Sequence, residues 1–245
     1  ETVREPEAQK LFNRVSDLLL RLHHDYDFAD ESQLLRAQVQ DGRLAFAESE
    51  ETYPLLVLPG CRVISLETAR FLKRFFDGGG HILALGELPS ECAERESAEE
   101  LAELLAHVFG PERNGEDHRN ENEAGGVALS HAHVGEDLPL WLLQNIPHLV
   151  SPDVMLDDDE RRPVEDLICC HRAEKLSREE GAPERHYFLL VNRAAESQKG
   201  MLRISAQGLL QEWHLETGKT TNLFGAQHEE GRLCCPVELE PSEAR

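Results

Sequence analysis

Long apolar runs are missing from these 245 residues. None approaches the roughly 18 residues that a membrane helix requires, which excludes a helical span. Positive charge is scarce: 25 Lys+Arg stand against 47 Asp+Glu, a formal net charge of −22. That balance lacks the basic footprint with which proteins hold DNA, RNA or anionic bilayers, so neither a nucleic-acid nor a membrane partner is expected. Six cysteines in a chain of this length are too sparse for a disulfide scaffold. Cys61, Cys92, Cys169, Cys170, Cys234 and Cys235 read as free thiols packed as small hydrophobes, and a reducing, cytoplasmic location follows from them.

The usual signatures of chemistry are absent too. There is no GxGxxG and no GxxxxGK[ST] to cradle a phosphate, and no GxSxG nucleophile turn. His131 and His133 stand two apart, and Cys169, Cys170 and His171 lie together, but no CxxC pairs with a second CxxC or with HxxxH. The acidic run Asp157-Asp158-Asp159-Glu160 lacks the alternating ligands and glycine of a calcium loop. No metal and no cofactor is expected.

What is present has a clear order. Leu11, Val15, Leu18, Leu19 and Leu22 form the stripe of an amphipathic helix within residues 7–24. Asp41-Gly42 marks a turn before a short strand at Leu44-Ala45-Phe46. The aliphatic run Leu55-Leu56-Val57-Leu58 between Pro54 and Pro59-Gly60 predicts a strand buried on both faces, the mark of a parallel sheet. Ser65 caps a helix carrying Phe71, Leu72, Phe75 and Phe76, Gly78-Gly79-Gly80 ends it, and His81 to Leu85 is a second buried strand. Residues 53–86 therefore spell a βαβ crossover. Another helix runs from Ser97 to Phe109, residues 110–126 read as a solvated loop, and a strand at 127–129 and a helical segment at 137–149 follow. After about residue 150 the pattern changes to short extended runs separated by turns, with a hairpin turn at Glu216-Thr217-Gly218-Lys219. The expectation is an α/β domain over 1–150 and an antiparallel β-sandwich over 151–245, the latter incomplete if the chain is a fragment. Glu1 in place of Met, with no signal-like segment after it, reads as a piece of a longer chain.

Candidate site residues are few. Gly60 and Cys61 follow the first parallel strand and Glu87 follows the second, at the carboxyl edge where open α/β sheets collect ligands. Cys61 could serve as a nucleophile only beside a base, and a lone Glu87 lacks the second carboxylate of sugar chemistry. Trp213 is the candidate for stacking on a sugar, set against ordinary packing in a strand. No residue is assigned a catalytic role.

Four stretches carry a resemblance. They are Tyr26-Asp27-Phe28-Ala29-Asp30-Glu31 with Asp41-Gly42-Arg43-Leu44; Tyr53 to Pro59 with Leu72 to Phe76 and Gly78 to Ile82; His171-Arg172 with His186 to Arg193; and Glu212 to Gly218. In that order they resemble the carboxyl-terminal region of large bacterial glycoside hydrolases, the α-L-rhamnosidase-like enzymes of family 106 and their relatives. The resemblance implies a flavodoxin-like, amidotransferase-like domain followed by a β-sandwich, both lying after a barrel that carries the catalytic carboxylates. It implies a non-catalytic accessory region whose partner is the barrel of the same parent chain. The similar trimerisation domain of family 42 β-galactosidases adds a homo-oligomeric contact to the expected partners. The first domain also resembles class I glutamine amidotransferases, whose nucleophilic Cys follows the strand matching His81 to Leu85. Here Gly86-Glu87 stands at that elbow. The alternative is therefore a thiol hydrolase using Cys61, which lies on the preceding turn.

Overall fold

The computed structural model describes residues 7–47, 49–94, 97–111, 117–177, 182–223 and 225–245. The chain divides into two compact units, one of residues 1–15 and 27–151 and one of residues 16–26 and 152–245. Part of the first helix, read above with the first domain, is thus grouped with the second.

In the first unit, helix α1 (Glu7–Arg21) begins and α2 (Glu31–Arg36) follows, closed by a reciprocal capping box between Asp30 and Gln33. Strands β1 (Gln38–Gln40), β2 (Arg43–Ala45) and β3 (Thr52–Tyr53) form a small antiparallel sheet. Its first turn is Asp41-Gly42, both at positive φ, as a two-residue hairpin demands. Then come β4 (Leu55–Pro59), β5 (Val63–Ile64), α3 (Leu66–Asp77), β6 (His81–Leu85), β7 (Glu91–Cys92), α4 (Ala98–Phe109), β8 (His118–Glu121), β9 (Val127–His131) and α5 (Leu138–Asn145). Strands β4, β6 and β9 are parallel neighbours, the β4–α3–β6 crossover lying where the aliphatic runs placed it. Among the described residues β4 pairs with β6 only, so its other side is an open edge, and all five of its residues are half-buried. One large core holds Phe71, Leu72, Phe75 and Phe76 of α3, Leu101, Leu105 and Phe109 of α4, and Ile82, Ala84 and Ala128 of the sheet.

The sheet is mixed rather than wholly parallel. Strand β8 lies within the stretch expected to be a loop and runs antiparallel to β9, His118 to Glu121 opposite Ser130 to Val127. A tight turn makes this pairing: the Asn122 side chain accepts from the Ala124 and Gly126 amides and donates to the Phe76 carbonyl. Residues 112–116 of the expected loop lie outside the described residues.

The second unit is antiparallel throughout its strands. Strands β10 (Val154–Asp157), β11 (Leu167–Lys175), β12 (Glu184–Asn192), β13 (Gln198–Ile204), β14 (Gln211–Trp213), β15 (Thr220–Asn222), β16 (Gln227–Glu229) and β17 (Arg232–Leu239) follow one another with no helix among the described residues. A four-stranded sheet has the order β10-β13-β17-β16, β11 and β12 form a long hairpin, and β14 and β15 a short one. Val154, Leu156, Leu202, Ile204, Leu233 and Cys235 of the sheet share one core with Leu167, Cys169 and Leu190 of the long hairpin. Asn192, fully buried, ties the unit's loops: its amide nitrogen lies 2.9 Å from the Glu196 carbonyl, 3.1 Å from that of Leu239 and 2.9 Å from that of Glu240.

The same unit contains the end of α1. The His23 amide donates to the Leu20 carbonyl and the His24 amide to that of Leu19, the double closure of a helix that turns out through a left-handed residue. That residue is His23, at φ 62, where glycine is the usual choice. Its ring explains the exception. Nε2 lies 2.9 Å from the Val164 carbonyl and Nδ1 3.4 Å from the Leu156 amide, so the imidazole joins the helix end to β10 and the turn after it.

Candidate functional site

The carboxyl edge of the parallel strands is where a ligand of the first unit belongs by the rules of open sheets. Gly60 and Gly86 sit there at positive φ, their backbones joined to the next strand by Gly60 N–H to Leu85 O and Gly86 N–H to His131 O. A methyl group on either glycine would meet the same atom, Cδ2 of Leu11, at 3.0 and 2.9 Å. Helix α1 therefore lies over this edge. Arg14, one turn on, donates to the Val134 and Gly135 carbonyls at 2.5 Å each.

The second element of such a site is the amino end of the helix after the first strand, whose free amides attract anions. In α3 these positions are already filled by the protein. Ser65 caps Thr68 N–H, the Leu66 amide donates to a Glu94 carboxylate oxygen at 3.0 Å, and Glu31 accepts hydrogen bonds from the Ser65 and Thr68 hydroxyls. Those hydroxyls hold the Glu31 carboxyl below its ordinary pKa, and the Cys92 thiol followed by the Leu66 amide does the same for Glu94.

Cys61 is half-buried and donates to the Val63 carbonyl at 3.2 Å. Burial raises its pKa, the reverse of what activates a thiol nucleophile. Glu87 is exposed just beyond β6. The structure thus brings Gly60 to the covered edge and leaves Cys61 and Glu87 without a shared constellation.

Two groupings escaped the sequence. Asp117, in the first unit, bridges the Nδ1 of His131 at 2.5 Å and the indole N–H of Trp141 at 2.6 Å, while the two rings stack at 4.2 Å. The other lies in the second unit: Asp153 Oδ2 is 3.0 Å from His171 Nδ1, and His171 Nε2 is 3.0 Å from His186 Nδ1. Hairpin register brings the last two together, since His171 faces Phe188 and His186 follows two residues before it. Only the presence of the histidines was legible, not their pairing. Among the described residues no three His, Cys, Asp or Glu side chains converge as metal ligands.

Trp213 is 49 % exposed in β14 and lines an open cavity of about 610 Å³ in the second unit. Tyr187 stands edge-on to its ring at 6.0 Å. His186, Phe188, Glu212 and Arg245 line the same cavity.

With this geometry the chain is similar to parts of two larger solved enzymes. It matches the rhamnosidase from Novosphingobium sp. PP1Y over 94 % of this chain and 20 % of that one, with 23 % identity and a TM-score of 0.64. It matches Gan42B, a GH42 β-galactosidase, over 100 % of this chain and 36 % of that one, with 15 % identity and a TM-score of 0.52. The sequence matches no protein-family model and no curated protein. At these identities the likeness is one of fold, and this chain spans a fifth of the rhamnosidase and about a third of the β-galactosidase.

Proposed function

We propose that these residues are a non-catalytic accessory region of a larger glycoside hydrolase of the α-L-rhamnosidase-like kind, family 106 or a relative. In this reading the first unit is a flavodoxin-like, amidotransferase-like domain that has lost its chemistry, spanning about 1–150. The second, about 151–245, is a β-sandwich. The catalytic carboxylates belong to a barrel outside these residues, which is the partner of both, with a second copy of the chain as a further contact. Six free cysteines support a reducing, cytoplasmic setting.

The observation that carries the reading is the ligand edge of the first unit. Leu11 covers it, and Glu31 and Glu94 occupy the helix end that would hold an anionic substrate. Likeness of fold to a portion of two glycoside hydrolases supports the setting. The test uses aryl rhamnosides and aryl galactosides. The 245-residue chain should release no aryl alcohol, whereas a longer chain containing it should, and should lose turnover when these residues are deleted. Hydrolysis by the 245 residues alone, or full activity after their deletion, overturns the proposal.

A further inference from the structure

We infer that the open edge of β4 receives a further strand of the first unit's sheet, a short aliphatic segment parallel to β4 and supplied by the chain ahead of residue 1. The inference rests on the reading above that these residues belong to a longer protein. Its first ground is that β4 is built as an interior strand but is not buried as one. Leu55-Leu56-Val57-Leu58 is as aliphatic as Ile82-Leu83-Ala84-Leu85 of β6. Those four residues of β6 are buried, as is all of β9, whereas every residue of β4 is only half-buried. Unbroken aliphatic runs belong inside parallel sheets, with a neighbour on each side. The backbone shows which groups face the missing neighbour. Gly60 donates to the Leu85 carbonyl and Pro54 accepts from the His81 amide, so the even-numbered residues turn their polar groups to β6. The N–H and C=O of Leu55 and Val57, and the C=O of Pro59, therefore point the other way. Among the described residues none of these groups has a hydrogen-bond partner.

The second ground is the position of α1, which names the source and the direction. A parallel strand hands its chain on at the carboxyl edge of the sheet, as β4 does on the way to α3 and β6 on the way to α4. The second turn of α1 lies at that edge, where Leu11 is the side chain that a methyl on Gly60 or Gly86 would meet. Chain entering α1 thus arrives where a neighbour running parallel to β4 would end. Residues 1–6 can span at most about 20 Å, so that end is close by. Parallel neighbours need a helical crossover, and consecutive strands are usually neighbours. Helix α3 serves β4 and β6, and α4 serves β6 and β9. Helices α1 and α2 lie ahead of β4 with no strand before them among the described residues. On one face the incoming segment meets Leu56 and Leu58, which pack against the core beneath α3, and on the other Leu55 and Val57. It is therefore apolar on both faces and about as long as β4. A second copy of the chain fits the seam less well, because it brings another charge of −22.

The experiment compares the 245-residue chain with one begun about 20 residues further upstream, enough for a strand and its approach. Hydrogen exchange is read amide by amide in dilute buffer, with Leu56 and Leu58, which bond to β6, as the internal reference. In the 245 residues Leu55 and Val57 should exchange much faster than that reference. In the extended chain they should slow by about a hundredfold or more, at a rate independent of protein concentration. Val57→Pro deletes one open-side donor, a change that edge strands tolerate. It should lower the urea midpoint of the first unit further in the extended chain than in the 245 residues. Fast exchange at both amides in the extended chain, slow exchange already in the 245 residues, or equal losses with Val57→Pro overturns the inference. Protection that rises with protein concentration also overturns it, and marks a second copy as the occupant. Fast exchange in a longer chain whose turnover needs these residues overturns this inference alone. Slow exchange in a longer chain that hydrolyses no glycoside overturns the enzyme reading alone.

Discussion

The two histidines that close α1 make the second unit sensitive to acid. His23 is 2 % exposed, with one ring nitrogen donating to Val164 and the other accepting from Leu156. A second ring proton would point at the Leu156 amide proton, and burial lowers the pKa accordingly. His24 is pushed down to about 4 from 6.5, first by burial and then by its neighbour His23. The sign follows from proton counts. Above pH 6.5 both folded and unfolded chains hold a neutral His24. Between 6.5 and about 4 the unfolded chain takes a proton that the folded one refuses, so stability falls by about 1.4 kcal/mol per pH unit. His24 alone therefore costs about 3 kcal/mol over that window and nothing more below it. His23 adds in the same direction. Urea unfolding followed by hydrogen exchange of the β13–β17 amides, repeated between pH 7 and pH 4, measures the loss. His24→Gln should remove about 3 kcal/mol of the pH-dependent part while leaving the rest. If wild type and His24→Gln lose equal stability over that range, the burial argument for His24 is wrong.

Asn192→Ala should destabilise the second unit by about 3 kcal/mol, because it removes a side chain hydrogen-bonded to three carbonyls and to the Ala194 amide and leaves buried carbonyls unpaired; the urea midpoint reads this directly. Gly42→Ala should cost about 2 kcal/mol or more in the first unit, since φ is 72 there and the new methyl would lie 2.7 Å from the Gly79 carbonyl oxygen; the melting temperature should drop, and a neutral result would mean that the turn yields freely. Cys61 should alkylate slowly at neutral pH, with its inflection above the usual thiol value of about 8.5 because burial raises it. An inflection below that value, measured with iodoacetamide, would revive the thiol-hydrolase alternative.

The crossover from Leu55 to Leu85 was legible because each strand is a run of aliphatics and Ser65 and the three glycines punctuate the helix between them. Strand β8 was not, since His118-Arg119-Asn120-Glu121 has no apolar alternation; it exists because β9 offers it a ladder and Asn122 makes the turn. The run of three glycines was read only as a helix stop. Gly79 also receives the hairpin turn of Gly42, which no local pattern announces. At the candidate sites the limit was distance along the chain. Glu31 and Glu94 meet the start of α3 from opposite sides in sequence, and nothing in either neighbourhood marks them as its crown. Trp213 was expected to sit half-buried in a strand, and in β14 it is 49 % exposed with Tyr187 edge-on to its ring; the Tyr187 partner, 26 residues away, is what the sequence did not announce.

The open side of β4 has a consequence for handling the protein. Its unpaired backbone is a template on which another extended chain could grow, and Leu55 to Leu58 offer that chain an apolar surface. Pro54 and Pro59 bracket those four residues and lack the amides that would lengthen the ladder, so any such seam is short. Beyond that, copies are held apart by a charge of −22 on each. Salt shrinks the reach of that repulsion to about 3 Å at 1 M. The protein should therefore stay dispersed in dilute buffer and pair through β4 in concentrated salt, which light scattering against salt concentration would read.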